Sequence, residues 1–177
     1  MPIKNKDQRV AIFIDVQNLY HSAKNLYQAR VNFREILKTA TASRQLIRAF
    51  AYVVRTKTGE EKPFFDALLN LGIETRVKDL QEYYGGLKKA DWDVGIAVDA
   101  IKTSNSVDVI VLISGDGDYV PLVEYLQNHG KRVEALAFGK STSTKLREAV
   151  DEFIDLSEES NKYLLKTSRW PGIKIIK

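Results

Sequence analysis

Val107-Asp108-Val109-Ile110-Val111-Leu112-Ile113, followed at once by Ser114-Gly115-Asp116-Gly117-Asp118-Tyr119, carries the strongest strand signal in the chain. A near-continuous apolar run of this length fits a strand covered on both faces, as in a parallel sheet. Val10-Ala11-Ile12-Phe13-Ile14 reads the same way and ends at Asp15. Between and beyond these two runs, strands and helices alternate. Further strands are expected over 46–54, 73–78 and 133–138, with a short sixth over 153–156. Helices are expected over 17–28, 33–40, from Pro63 to a stop at Gly72, and over 91–103, 119–128 and 142–150. Residues 56–59 and 81–89 read as loops, the second holding Gly85-Gly86, and Trp170-Pro171-Gly172 breaks any helix near the end. The alternation predicts an α/β fold: a three-layer α/β/α domain on a mostly parallel sheet of five to six strands, with right-handed crossovers.

The chain has 177 residues, enough for one domain with a real core. Residues 1–8 read as a basic N-terminal segment, 9–157 as the domain and 158–177 as a basic C-terminal tail. There is no Cys, which excludes disulfides and thiolate metal sites, and only His21 and His129 supply imidazole, which disfavours zinc. No signal-peptide pattern follows the polar opening, and the apolar runs are too short to span a bilayer. The expectation is a soluble, cytoplasmic protein without membrane contact, with a homo-oligomer left open. The net charge is +4 and the pI about 9.1. Lys4, Lys6 and Arg9 at one end, and Lys162, Lys166, Arg169, Lys174 and Lys177 at the other, suit a polyanionic partner or simply solvated termini.

Open α/β sheets bind ligands beyond the carboxyl ends of their strands. Asp15 ends the first strand there, and Asp116 and Asp118 follow the fourth. Gly115 and Gly117 allow a tight turn or a close approach. Asp91 and Asp93 begin the helix that leads into the fourth strand, and Asp99 lies six residues on, about 9 Å along the axis and turned by about 120°. Gathered carboxylates raise one another's pKa and destabilise a fold unless a divalent cation offsets the repulsion. Mg²⁺ and Mn²⁺ prefer oxygen ligands and suit phosphodiester hydrolysis. Plainer roles stand beside these. Asp118 could cap the helix that begins at Tyr119, Asp91 or Asp93 could cap the preceding one, and Asp99 could be a salt-bridge partner. Asn18 and His21 could be surface residues. Asp15, ending an all-apolar strand, is the hardest to explain in such terms.

Three stretches resemble the NYN domain family, in its LabA-like branch within the PIN-like nuclease superfamily. They are Ile12-Phe13-Ile14-Asp15-Val16-Gln17-Asn18-Leu19, Trp92-Asp93-Val94-Gly95-Ile96-Ala97-Val98-Asp99-Ala100 and Ser114-Gly115-Asp116-Gly117-Asp118-Tyr119-Val120-Pro121-Leu122. Val16 stands where many relatives carry Gly. The resemblance covers roughly residues 9–156 and implies a PIN-like sheet, a Mg²⁺- or Mn²⁺-binding acidic cluster and action on RNA. It makes Asp15, Asp93 and Asp116 the core metal-binding acids and Asn18, Asp99 and Asp118 supporting members, with Asn18 positioning water or phosphate.

The leading expectation is therefore a metal-dependent ribonuclease, with Asp15, Asp93, Asp116 and Asn18 catalytic. Lys88, Lys89, Arg55, Lys57 and the basic termini would hold the RNA backbone, and Tyr20, Tyr83 and Tyr84 could stack on bases. The rivals are a non-catalytic RNA-binding or regulatory module and a small-molecule phosphohydrolase. A haloacid-dehalogenase mechanism is disfavoured because Gln17 stands where its proton donor would be. A dinucleotide enzyme is disfavoured because no G-x-G-x-x-G follows strand one.

Overall fold

A computed structural model describes residues 4–56, 58–82, 84–86 and 88–165, with Glu82, Lys88 and Lys89 described by their backbone alone. Six strands form one sheet: β1 (Arg9–Asp15), β3 (Gln45–Arg55), β4 (Glu74–Asp79), β7 (Val109–Ile113), β8 (Arg132–Ala137) and β9 (Glu152–Asp155). Their spatial order is β4-β3-β1-β7-β8-β9 and every neighbouring pair is parallel. The chain thus starts in the middle at β1, builds outward through β3 and β4, and then returns to lay down β7, β8 and β9 on the other side. That reversal leaves a crevice beyond the carboxyl ends of β1 and β7, where an open α/β sheet takes its ligand.

Alternating side chains of each strand face opposite layers. Val10, Ile12 and Ile14 pack with Val109, Val111 and Ile113 against α1 (Val16–Tyr27), α2 (Phe33–Thr41) and α3 (Lys62–Asn70). Ala11 and Phe13 pack with Ile110 and Leu112 against α4 (Asp93–Ser104), α5 (Val120–Asn128) and α6 (Thr144–Ala149). The result is a six-stranded parallel sheet between two helical layers, as the alternation predicts.

Each βα junction has a local cause. The Asp15 carboxylate accepts the Asn18 N–H and so caps α1. Asn32 caps α2 in the same manner, accepting from the Glu35 N–H. Pro63 and Pro121 sit in the first turns of α3 and α5, where their missing N–H costs nothing.

Two segments differ from the sequence reading. Residues 81–89, expected as plain loop, carry a small antiparallel ribbon of β5 (Gln81–Glu82) and β6 (Lys88–Lys89). Beyond β9, α7 (Ser160–Tyr163) and β10 (Leu164–Leu165) lie on the domain: β10 pairs antiparallel with β2 (Arg30–Val31), and the buried Tyr163 hydroxyl meets Thr39 Oγ1 at 3.0 Å. A tyrosine buried this fully fixes residues 158–165 by apolar burial that periodicity over so short a stretch does not reveal. Lys166, Arg169, Lys174, Lys177 and the Trp170-Pro171-Gly172 break lie outside the described residues.

The basic opening also sits elsewhere than expected. Arg9 begins β1 and Asp15 ends it, so about 20 Å of strand separates them. Arg9 binds Asp108 at 2.8 Å and Lys4 binds Glu152 at 3.2 Å. Both pairs lie by the amino ends of the strands, away from the acidic pocket, and cannot hold a phosphate beside it.

Candidate active site

The carboxyl end of β1 delivers Asp15 against the turn that follows β7. Asp15 Oδ1 accepts the Asn18 N–H at 3.2 Å, while Oδ2 lies 3.2 Å from the Tyr119 hydroxyl and 3.4 Å from Ser114 Oγ. The same Tyr119 hydroxyl is 3.1 Å from Asp93 Oδ1. A tyrosine has one proton to donate, so it cannot satisfy both carboxylates at once. Burial, countered by the Asn18 hydrogen bond and reinforced by the charge of Asp93, raises the Asp15 pKa to about 6. Asp93 is raised too, first by burial and then by Asp116, Asp91 and Asp118 against the opposing hydrogen bond from Tyr119. Burial also drives the Tyr119 phenol far above its ordinary range, so it stays a donor at all working pH.

Asp93 owes its position to the residues before α4. Trp92 Nε1 donates to the Val53 carbonyl at 2.9 Å, and Lys78 Nζ donates to the Asp91 carbonyl at 2.7 Å while lying 4.4 Å from the Trp92 ring centre. These contacts clamp the start of α4 to the ends of β3 and β4. Gly95 leaves room for the indole, because a Cβ there would come within 2.5 Å of Trp92 Cε3.

After β7 the backbone turns through a short 3-10 helix, Gly117–Tyr119. Asp116 caps it, accepting the Asp118 N–H at 2.9 Å, and α5 itself has no side-chain cap. The capping role considered for Asp118 therefore belongs to Asp116. Asn18 Oδ1 accepts the Gly115 N–H at 2.9 Å, which ties this turn to α1. The two glycines serve an approach within the protein. A Cβ at Gly115 would lie 2.8 Å from Thr142 Oγ1 and 3.0 Å from Thr142 Cα, and one at Gly117 would lie 2.6 Å from Ser143 Oγ. Gly115→Ala is accordingly expected to cost about 1–3 kcal/mol by overpacking against backbone, read as a lower Tm.

The convergence is specific. Asp93, Asp116 and Asp118 each offer a carboxylate oxygen, and the three oxygens lie within 4.8 Å of one another. Among the described residues none of these three makes an ion pair. Hard oxygen donors without sulfur or imidazole fit Mg²⁺ or Mn²⁺. Asp15 stands beside this group, linked to Asp93 through Tyr119.

Other expected residues are engaged elsewhere. Asp99 accepts the Tyr52 hydroxyl at 2.9 Å and faces Arg76 Nε at 3.4 Å, so it props β3 and β4 instead of joining the three acids. Arg55 is bound to Asp79 at 2.8 Å. Tyr20 is buried, Tyr84 is exposed, and Lys57, Tyr83 and the side chains of Lys88 and Lys89 lie outside the described residues. Tyr119 and Ser114 were not singled out from sequence as site residues. Their signal was adjacency to Gly115-Asp116-Gly117-Asp118.

The acidic group lies at the switch point of the parallel sheet, and the chain belongs to the NYN family: the family model, described as NYN domain, matches residues 9–158. Among curated relatives it is 30% identical over 173 residues to the low amplitude and bright protein LabA of Synechococcus elongatus, covering 93% of this chain and 91% of that protein. An uncharacterized protein of Methanocaldococcus jannaschii is 23% identical over 155 residues, with 86% of this chain and 57% of that protein covered. The crystal structure of a Vibrio parahaemolyticus protein of unknown function superposes with a TM-score of 0.83 at 30% identity, covering 92% of this chain and 99% of that one. Among the described residues no helix is long and apolar enough to cross a membrane.

Proposed function

We propose that the protein is a metal-dependent ribonuclease that hydrolyses RNA phosphodiester bonds at the acidic group beyond β1 and β7. One observation carries this reading: three carboxylates lacking any described cationic partner converge within 4.8 Å at the carboxyl ends of the central strands. Such an assembly is costly unless a cation joins it. The choice of RNA rests on the NYN family.

Asp93, Asp116 and Asp118 would hold Mg²⁺ or Mn²⁺, with Asp15 completing the negative field. When bound, such an ion offsets the charge of the phosphate oxygens and makes water a better nucleophile. The side chains do the rest. Tyr119 lies between Asp15 and Asp93 and donates its one proton to either of them. Asn18 fixes the turn through the Gly115 N–H, a positioning role that occupies its oxygen and leaves its amide N–H₂ to meet a phosphate. Asp15 is the acceptor for the proton released when water attacks.

The test is cleavage of end-labelled single-stranded RNA in Mg²⁺ or Mn²⁺ by the wild type and by Asp116→Asn purified identically. Cleavage by the wild type, abolished by EDTA and absent in the variant, is expected. Equal cleavage by both proteins would remove Asp116 from the site. RNA binding without turnover would favour the binding module, and hydrolysis of p-nitrophenyl phosphate alone would favour a small phosphoester.

A further inference from the structure

Among the described residues, the cations near the carboxyl ends of the strands differ by side. On the β3–β4 side Arg55 is bound to Asp79, Arg76 faces Asp99, and Lys78 is held by the Asp91 carbonyl and the Trp92 ring. On the β8 side the chain reads Gly139-Lys140-Ser141-Thr142-Ser143-Thr144-Lys145. Lys140 and Lys145 are exposed and make no ion pair or hydrogen bond with any described residue.

This segment is fastened to the acidic turn. The Ser143 N–H donates to the Gly115 carbonyl at 2.9 Å, and Ser141 Oγ donates to Ser22 Oγ on α1 at 2.7 Å. Thr142 Oγ1 is spent on the Phe138 carbonyl at 2.9 Å. The Ser143 hydroxyl lies against Gly117, between Asp116 and Asp118, and has no hydrogen-bond partner among the described residues. Among the described residues, the free Ser143 hydroxyl therefore sits against the acidic turn, and two uncommitted ammonium groups flank it in the chain three residues before and two after. Uncommitted cations on a segment fastened to a cation-seeking acidic group suit a ligand that carries several phosphates, one at the metal and others alongside.

We propose that residues 139–145 form the cradle for the RNA backbone: Lys140 and Lys145 neutralise phosphates flanking the scissile one, and Ser143 Oγ donates to a phosphate oxygen. The strand then crosses the β7–β8 side of the acidic group and not the β3–β4 side that Arg55 would mark. This rests on the ribonuclease reading and adds the path of the substrate to it.

The test uses a fluorescein-labelled single-stranded RNA of mixed sequence, titrated by anisotropy in EDTA over a range of salt, with steady-state cleavage in Mn²⁺ measured in parallel. Four proteins are compared: wild type, Lys140→Gln/Lys145→Gln, Lys140→Arg/Lys145→Arg, and Lys102→Gln at the far end of α4. Loss of two phosphate contacts should weaken binding by about 10-fold and flatten the slope of log K against log salt by about 1.4. In cleavage the glutamine pair should raise KM with kcat nearly unchanged, while the arginine pair and Lys102→Gln follow the wild type. A glutamine pair with wild-type affinity and wild-type slope overturns the cradle and leaves the nuclease reading standing if the wild type cleaves. A wild type that neither binds nor cleaves RNA overturns both.

Discussion

Asp15→Asn is expected to lower RNA cleavage at least about 100-fold, the upper end of losses seen when a group that merely orients a metal site is removed. The same variant is expected to melt a few degrees higher than the wild type when both are free of metal at pH 7.5. The two effects have one cause. Burial, with Asp93 and Asp116 adding repulsion, lifts the Asp15 pKa from 3.8 to about 6 in the folded protein. A carboxyl whose folded pKa is raised binds its proton more tightly in the folded state. Its favourable contribution is complete below about pH 3.8 and is lost as pH rises through about 6. At neutral pH the ionised wild type therefore bears a penalty of about 3 kcal/mol at most.

Asparagine cannot ionise, and it still caps α1 through its side-chain oxygen. It has a single acceptor oxygen where Asp15 engages both the Asn18 N–H and the Tyr119 hydroxyl, so part of the gain is returned. A net of about 1 kcal/mol corresponds to about 2–4 °C for a domain of this size. In EDTA the difference in Tm should be small at pH 4.5 and grow towards pH 7.5. Saturating Mn²⁺ should reverse the order at neutral pH, because a ligand stabilises the protein that binds it better. A Tm difference that does not vary with pH would mean that Asp15 does not titrate differently in the folded and unfolded protein over this range, and would overturn a folded pKa of about 6.

Much of this arrangement is legible in the sequence. Continuous apolar runs such as Val10 to Ile14 specify doubly covered strands, and their alternation with helices specifies a parallel sheet. An acid that ends such a strand lies at a carboxyl edge, and so does the start of the helix after the preceding strand, which is why Asp15, Asp116 and Asp91 or Asp93 are expected near one another; the choice of Asp93 comes from the NYN resemblance. What escaped was the identity of partners. Nothing local says that Asp99 would be taken by Tyr52 and Arg76, or Arg55 by Asp79, because those pairings arise from the registry of β3 with β4 and with α4. The Tyr119 hydroxyl reaches Asp15 across 104 positions and Asp93 across 26, distances over which spacing carries no information. The glycines of the acidic turn read from sequence as allowing a tight turn or a close approach, and the approach they allow is that of Thr142 and Ser143. Glu134 is the plainest omission. A single acid in Arg132-Val133-Glu134-Ala135-Leu136-Ala137 signals a buried charge, but its partner Arg44 lies 90 residues away.

That buried charge yields the largest expected loss of stability. Glu134 and Arg44 have fully buried side chains, joined at 2.9 and 2.8 Å in a two-pronged contact, and Arg132 Nε adds a third bond at 2.8 Å. Arg44 also donates to the Thr41 and Ala40 carbonyls at 3.1 and 2.9 Å, and Arg132 reaches on to Glu152 at 2.7 Å. The network fastens the turn after α2 to β8 and β9. Burial pushes Glu134 up, but the hydrogen bonds from Arg44 and Arg132 outweigh it and hold its pKa below the ordinary value. Glu134→Gln keeps the shape and leaves the Arg44 guanidinium buried without a counter-charge, which should cost about 3–5 kcal/mol. For a domain of this size that is a fall in Tm of about 6–20 °C. A depressed folded pKa gives stability that is present above the unfolded value near 4.5 and lost as pH falls through the folded one. The gap between wild type and Glu134→Gln should therefore be widest at neutral pH and close in acid. Arg44→Met/Glu134→Leu should lose less than the two single changes together, since removing both charges leaves neither stranded. A Glu134→Gln protein as stable as the wild type at pH 7, or a double variant that loses the full sum, would show that the pair is not what holds α2 to β8.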